Sequence, residues 1–526
     1  MSIQCRPRVS LIEVPEAKIA YLLDGKEEVY SVLRADHPKQ SQLIVAGFLR
    51  DIADVKIIDM KLMARDRDEL YKEFSYGDGV IRCYRRGASF ESVRYEVRNS
   101  EIVSLTSNFT RSAEVVRDFI RYVKNVSSET KVIVGGSDAT PRFEYYLKAG
   151  ADAVVLGEGE RIGPRVVKTI AAGDSLNGIS GVAYSEGTLV RRNPRNPATD
   201  TVWADEIPLP AFDLVKNDLV NYTDAGQGPL PKGVKTPMGF LETSRGCTEA
   251  CGFCATPALR KIYRSMSTDR IAVTLEHYEK YGIETLVLKE DNILSRLSQP
   301  NGRKKVLEMF DLLKKHEFAW EVQGMQIGKL MSGGCVDSEL VESIYYHEVR
   351  DDKWIGAYRG YVPLESLRDE PDKVYRKLKP YDQEIKIIKA ISDTRIPMLA
   401  FGIIIGVPGD TKESLELTEK RCMEIKDIVE EKGVQAYFLT SLNILIPGTA
   451  NYSKYGHLLQ YDVEKYPELF HMYTATTGIA GLTPPELTLY KRSMEERING
   501  KSARDFIGLE GRYYFRNGNV SAGRIK

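Results

Sequence analysis

Short apolar runs alternating with amphipathic stretches constrain this chain more than any other feature, and the pattern occurs twice. In the first part the runs are residues 9–13, 55–60, 101–107, 131–136 and 153–158, with helical patterns such as 112–124 and 142–149 between them. β-branched runs bounded by glycine and spaced by helices read as a parallel sheet covered on both faces. Five such strands fit a flavodoxin-like, Rossmann-type domain, which takes its ligand beyond the carboxyl ends of its strands. From about residue 236 the alternation starts again, with runs at 238–243, 285–290, 320–326, 355–363, 399–406 and 437–445 and helices such as 268–281 and 412–431. Six units of this kind suggest a partial (β/α)6 barrel of the TIM type, with chemistry at the C-terminal ends of the strands.

A hairpin pattern at 178–193, the connector Ile207-Pro208-Leu209-Pro210 and a glycine-rich loop at 226–233 separate the two halves. The 526 residues suggest three or four domains. The expected organisation is 1–172 for the first α/β domain, 173–235 for hairpin and linker, 236–450 for the barrel and 451–526 for a small helical cap. The tyrosines of that tail (Tyr452, Tyr455, Tyr461, Tyr466, Tyr473, Tyr490) either line a pocket or pack the cap.

Lysine plus arginine and aspartate plus glutamate number 74 each, so bulk charge draws the chain neither to nucleic acid nor to an anionic membrane. The longest apolar stretch, 396–408, is shorter than the roughly 20 residues a membrane span needs. The N-terminal residues show no apolar core followed by a small-residue cleavage site. No membrane span and a cytoplasmic location are expected.

Seven cysteines are too few and too unevenly spread for a disulfide framework. Three of them, Cys247, Cys251 and Cys254, stand in Cys-x3-Cys-x2-Cys spacing just after the first barrel run. Three thiolates on one loop can ligate one metal centre. A cubane cluster prefers thiolates, and three of them leave one iron open to a substrate. A structural zinc would need a fourth ligand, and no histidine or cysteine close by completes that pattern.

These residues, with the aromatic Phe253 before the last cysteine, resemble the signature of the radical SAM superfamily. The resemblance implies a 4Fe–4S cluster on the three cysteines, with S-adenosylmethionine (SAM) chelating the fourth iron and yielding a 5′-deoxyadenosyl radical. Further segments resemble the same family in order. Glu290 and Asp291 end the second run, and Glu365 and Ser366 the fourth. Gly402-Ile-Ile-Ile-Gly406 ends the fifth, and Ile446-Pro447-Gly448-Thr449 follows the sixth. Phe253, Glu290, Asp291, Glu365, Ser366 and Gly406 are thereby implied as SAM-binding residues.

In the first domain Thr106, Ser107 and Asn108 follow the third run, Gly135, Gly136, Ser137 and Thr140 the fourth, and Gly157, Glu158 and Gly159 the fifth. Small residues at strand ends let a large planar or phosphate-bearing ligand reach the backbone. Together with the linker residues 181–184 and 208–213 they resemble the cobalamin-binding domain that precedes the barrel in one radical SAM branch, so the resemblance covers about residues 8–450. It implies cobalamin bound through these ten residues. An Asp-x-His-x-x-Gly motif is absent; the first loop has only Asp36-His37-Pro38. Cobalamin is therefore expected base-off with no protein histidine on cobalt, and His37 is expected to be a surface loop residue.

The activity so implied is a cobalamin-dependent radical SAM methyltransferase, placing a SAM-derived methyl group on an unactivated carbon through methylcobalamin and the adenosyl radical. A non-methylating radical enzyme of the same architecture (cyclisation, ring rearrangement or oxidation) is the alternative; a cluster or corrinoid carrier is a third class, which a complete barrel disfavours. The substrate is a small molecule or a protein or peptide, the electron donor a flavodoxin or ferredoxin, and no nucleic acid is expected. Cys5, Cys83 and Cys422 read as structural or incidental residues in terminal, loop or helical contexts, and Cys335 as a plain loop cysteine, the alternative being a barrel-mouth residue that donates a hydrogen atom or supports the substrate.

Overall fold

The computed structural model describes residues 6–31, 37–223, 230–368, 380–500, 514–516 and 519–521. Cys5, Asp36 and residues 226–229 of the 226–233 loop lie outside the described residues. The chain forms two compact units. The first is residues 1–221 with 446–453 and 461–471, and the second holds the remainder.

The first unit is built on a sheet whose five parallel strands run, across the sheet, Asp54–Asp59, Arg8–Glu13, Ile102–Thr106, Lys131–Gly135 and Ala153–Val155. That is the flavodoxin-like order expected, with its switch point between Arg8–Glu13 and Ile102–Thr106. Val9, Leu11, Ile102, Ile133 and Val155 face the helices Gln40–Leu49 and Gly159–Ala172, packing on Ala46, Leu49, Ile162 and Val166. The alternate residues Ile12, Val103, Leu105, Val132 and Val134 are equally buried, so both faces are covered. The hairpin Val182–Glu186 and Leu189–Arg192 extends the sheet antiparallel to Ala153–Val155.

A second sheet in this unit follows the first strand. Its four antiparallel strands run Lys26–Ser31, Glu16–Leu23, Gly79–Arg86 and Asp68–Tyr76. Sequence reading missed it because its outer strands, KEEVYS and DELYKEFSY, place charge where a strand pattern would show apolar alternation. Cys83 is corrected by it: the residue sits in the strand Gly79–Arg86, fully buried, not in a loop or a helix. Cys422 is buried on the helix Lys412–Glu430, and Cys335 is exposed in the short hairpin Met331–Ser332 and Cys335–Val336. His37 is half-buried.

In the second unit six parallel strands stand side by side in chain order: Met238–Leu241, Thr285–Lys289, Ala319–Gln323, Lys353–Glu365, Met398–Ile405 and Gln435–Leu442. The path is open, as a partial (β/α)6 barrel requires, and His347–Arg350 pairs antiparallel on the fourth strand. The helices Thr268–Lys280, Gly302–Lys315, Ser338–Ile344, Tyr381–Asp393 and Lys412–Glu430 form the crossovers, and Pro484–Asn499 packs on the sixth strand. Among the described residues no helix is long and apolar enough to cross a membrane.

Candidate functional site

Strand alternation decides which side chains line the barrel interior. Gly239 of the first strand faces outward, since a Cβ there would approach the ring of Tyr278 on Thr268–Lys280. Met238 and Phe240 therefore face inward, where they pack with Val287, Ala319, Trp354 and Tyr358 as an apolar floor. Above that floor the interior turns polar. Glu321 forms a buried ion pair with Arg359 and accepts from Tyr358 Oη at 3.1 Å and from Gln323 Nε2 at 2.7 Å.

The cysteine loop leaves the first strand at this polar end. Gly246 N donates to Asp291 Oδ2 at 2.8 Å, Thr256 Oγ1 to Asp291 Oδ1 at 2.9 Å, and Arg260 Nη1 to Asp291 Oδ2 at 3.1 Å. Burial would raise the Asp291 carboxyl, but Arg260 and these donors outweigh it and hold it below the usual carboxylate range. Thus Asp291 clamps both ends of the loop. Cys247 Sγ accepts from Glu249 N and Cys254 Sγ from Thr256 N, each at 3.4 Å, and Cys251 is buried. Backbone N–H groups aimed at sulfur suit thiolates, and three thiols on one loop suit a cubane with one open iron. Among the described residues no three acidic, histidine or cysteine side chains converge on a single-ion site. A cubane instead spreads its thiolates over three irons.

Glu290 is taken up differently. It lies fully buried beneath the loop, accepting from Thr243 N at 3.1 Å and from the hydroxyls of Thr243 and Ser244. Burial pushes its carboxyl up, against the pull of the nearby Arg296. Arg296, itself buried, donates to Thr243 O at 3.1 Å. Phe253 packs with Ile404, Val407 and Tyr455, which brings the loop beside Gly406 (φ +76°) at the end of the fifth strand. Glu365 ends the fourth strand in the left-handed region, φ +64°, after a register shift, so the chain turns sharply into Ser366. Both residues are buried. Sequence reasoning missed Arg296 and also Asn443. Asn443 follows the sixth strand and donates its N–H to Ile405 O at 2.8 Å, with both side-chain amide atoms buried and, among the described residues, unpartnered. Asn292 Nδ2 and Gln326 Oε1 are orphaned in the same way after the second and third strands. Buried amide atoms without partners among the described residues, at three strand ends, fit a ligand that brings donors and acceptors, as SAM does.

In the first unit the predicted residues lie on three neighbouring strand-end loops, and several bond to one another. Asn108 Oδ1 accepts from Ser137 N at 3.2 Å. Thr140 Oγ1 donates to Gly136 O and accepts from Gly157 N, both at 2.9 Å. Ser107 Oγ meets Tyr146 Oη at 2.7 Å, and Tyr146 in turn donates to the buried Asp138. Hence the hydroxyls of Ser107 and Thr140 tie loops together instead of facing outward. Gly157 does not lie open: a Cβ there would come within 2.5–2.8 Å of the Arg195 guanidinium. Gly135 and Gly159 do, since among the described residues a Cβ at either would meet only Val155, at 3.9 Å. Thr106 ends the third strand half-buried, and Glu158, buried, precedes the helix that Gly159 begins. An open glycine floor beside pre-tied loops fits a broad, flat ligand.

This pairing of folds defines a protein that carries a flavodoxin-like α/β domain and a partial (β/α)6 barrel bearing a three-cysteine loop. The family model described as the B12 binding domain matches residues 29–167, and that of the radical SAM superfamily matches 241–422. Residues 241–422 thus carry a radical SAM domain and residues 29–167 a B12-binding domain, which makes a 4Fe–4S cluster, SAM and cobalamin the cofactors. It is a cobalamin-dependent radical SAM enzyme. It is 27% identical to an uncharacterized methyltransferase of Pyrococcus horikoshii over 409 residues, 77% of each chain. It is 23% identical to cytidylyl-2-hydroxyethylphosphonate methyltransferase of Streptomyces wedmorensis over 73% of each. Among solved structures, the cobalamin-dependent SAM radical enzyme OxsB with aqua-cobalamin and SAM bound shares the fold (TM-score 0.65, 16% identity), covering 93% of this chain and 66% of OxsB. The methyltransferase TsrM of Kitasatospora setae does so at TM-score 0.56 and 14% identity, covering 84% of this chain and 77% of TsrM.

Proposed function

We propose that this enzyme is a C-methyltransferase acting on an unactivated carbon. The observation that carries the reading is the clamped Cys247–Cys254 loop at the end of the first strand of a partial barrel, in one chain with a B12-binding domain. Relatives named methyltransferases support it. When bound, the cofactors supply a transferable methyl group and a SAM-derived radical.

The residues act by holding and shielding. Cys247, Cys251 and Cys254 hold the cluster, and Asp291 and Arg260 keep their loop in shape. Phe253 and Gly406 form an apolar wall for SAM, with Glu365 and Ser366 beside it, while Asn443 offers its amide. Glu290 ties down Thr243 and Ser244 where the cysteine loop leaves the first strand. Thr106, Asn108, Gly135, Ser137 and Gly159 face cobalamin, and Ser107, Gly136, Thr140, Gly157 and Glu158 shape the loops around it. The Glu321–Arg359 pair and Gln323 give the interior a polar lining for a small-molecule or peptide substrate, and a flavodoxin or ferredoxin supplies the electron.

The test is incubation of the fully reconstituted enzyme with trideuteromethyl-SAM and a metabolite and peptide extract of its source. A labelled product, formed with both S-adenosylhomocysteine and 5′-deoxyadenosine and lost in Cys251→Ala, is expected. 5′-Deoxyadenosine and an altered but unlabelled product would replace this reading with the non-methylating one.

A further inference from the structure

Two tail segments, Ile446–Ser453 and Tyr461–His471, pack within the first unit, though both lie far outside the stretch matched as B12-binding. Their contacts fall on the loops that carry the candidate cobalamin residues. The turn Pro467–Leu469 packs on Thr110–Ser112, which follows the third-strand loop, and on the helix Ala113–Val126. Thr110 Oγ1 donates to Asp138 Oδ1 at 2.6 Å, so the Thr110–Ser112 segment is bonded to the fourth-strand loop. Arg142 reaches both ways: Nη1 pairs with Asp138 Oδ2 at 3.1 Å and Nη2 donates to Val463 O in the tail at 3.4 Å. Gly448, at φ +85°, lies against Pro141, whose ring a Cβ would approach to 2.8 Å.

What pins the segment is a buried polar cluster. The Glu468 side chain is fully buried and accepts from Lys72 Nζ at 2.9 Å and Tyr71 Oη at 3.2 Å. Lys72 also reaches Glu114 at 2.5 Å and Lys465 O at 2.7 Å. Phe74 against Tyr466 (4.9 Å) and Tyr76 against Tyr461 (5.3 Å) flank the cluster. The antiparallel sheet thus serves as the dock for the tail.

We propose that residues 461–471 are part of the cobalamin site, bracing the loops after the third and fourth strands through Thr110, Asp138 and Arg142. This rests on the reading of those loops as the cobalamin site. A loop held in its binding shape before the ligand arrives spares the cost of ordering it afterwards. Removing one member of a buried charged cluster leaves the others poorly satisfied and frees the segment they hold. Glu468 and Arg142 are therefore positioning residues.

The experiment is titration of the full-length, cluster-reconstituted chain with hydroxocobalamin, counting retained cobalt and iron in the same samples. Glu468→Ala and Arg142→Met are expected to weaken cobalamin retention about tenfold, the size of a lost charge-assisted hydrogen bond, with iron content unchanged. Glu468→Gln, which keeps an acceptor for Lys72 and Tyr71, restores most of it, a rescue that mere loss of bulk would not show. Should Glu468→Ala lose iron too, as a misfolded chain would, Arg142→Met decides. Variants with wild-type isotherms overturn the brace and leave the site reading standing. A wild-type chain that retains no cobalt overturns both.

Discussion

Asn499 hydrogen-bonds the backbone of Phe438 from both sides, accepting from its N–H at 2.9 Å and donating to its carbonyl at 2.9 Å. Phe438 lies in the sixth barrel strand, the outer edge of an open sheet, and two residues on Thr440 N donates to Glu495 Oε1 at 2.8 Å. At the opposite edge Tyr278 donates its hydroxyl to Phe240 O. Each open edge is thus met by helix side chains standing where another strand would be, which is how a sheet that does not close avoids pairing with another chain.

Removing these caps should cost stability independently at the two edges. Asn499→Ala is expected to lose about 1–3 kcal/mol and Tyr278→Phe about 1 kcal/mol, read from urea unfolding midpoints. The double variant should show the sum, because the residues share no partner across the six-stranded sheet. A markedly non-additive double would mean that the edges communicate.

Asp291 offers a second check. Asp291→Ala leaves Gly246 N and Thr256 Oγ1 without their acceptor, so the cysteine loop should loosen. Iron per chain after reconstitution is expected to fall several-fold, while hydroxocobalamin retention by the first unit stays as in wild type. Equal iron in both proteins would show that the loop keeps its shape without the clamp.

Breaking the interior ion pair should be severe. Glu321 and Arg359 are each only 3% exposed, and Arg359→Met would leave Glu321 buried with, among the described residues, Tyr358 and Gln323 to satisfy it. A loss of about 3–5 kcal/mol is expected from chemical denaturation, with much of it recovered when Glu321→Met is added.

Two buried carboxyls predict how stability varies with pH. Burial, then the Glu365 charge, pushes Glu384 up to about 8, and burial pushes Glu468 up to about 7 despite Lys72. Both hold their proton more tightly folded than unfolded. They therefore favour folding most at low pH and lose that contribution as pH rises from the ordinary value of 4.5 through the folded one. Glu114, held below 4.5 by Lys72 and its neighbours against burial, acts the other way and only below that value. Melting temperatures across pH 5–8 should fall less steeply for Glu384→Gln and Glu468→Gln than for wild type. A parallel decline would refute the assignment.

The parallel strands of both units were legible because their signal is local. Val9, Leu11 and Ile12, interrupted only by Ser10, and the contiguous Val132, Ile133 and Val134 are the β-branched and aliphatic runs that a sheet buried on both faces demands. The cysteine loop was legible for the same reason, since its three thiols fall within eight residues. What could not be read depends on partners distant in sequence. Lys72 and Glu468 stand 396 positions apart, and nothing near either residue signals the other. Arg296 looks like any arginine in a polar turn until Thr243 folds over it. Nor does sequence separate the glycines: Gly135 lies open while Gly157 makes room for Arg195, yet both read as strand-end glycines.

That return of the tail sets a timetable for synthesis. The first unit spans residues 1–221 but takes in segments ending at His471, so the ribosome must add a further 250 residues before that unit is whole. At about 5–20 residues per second the wait is roughly 12–50 s, during which the antiparallel sheet shows its tyrosines to whatever is near. Chaperone dependence and the yield of soluble protein should therefore respond to translation speed between residues 221 and 471, although the codons concerned encode mostly the other unit.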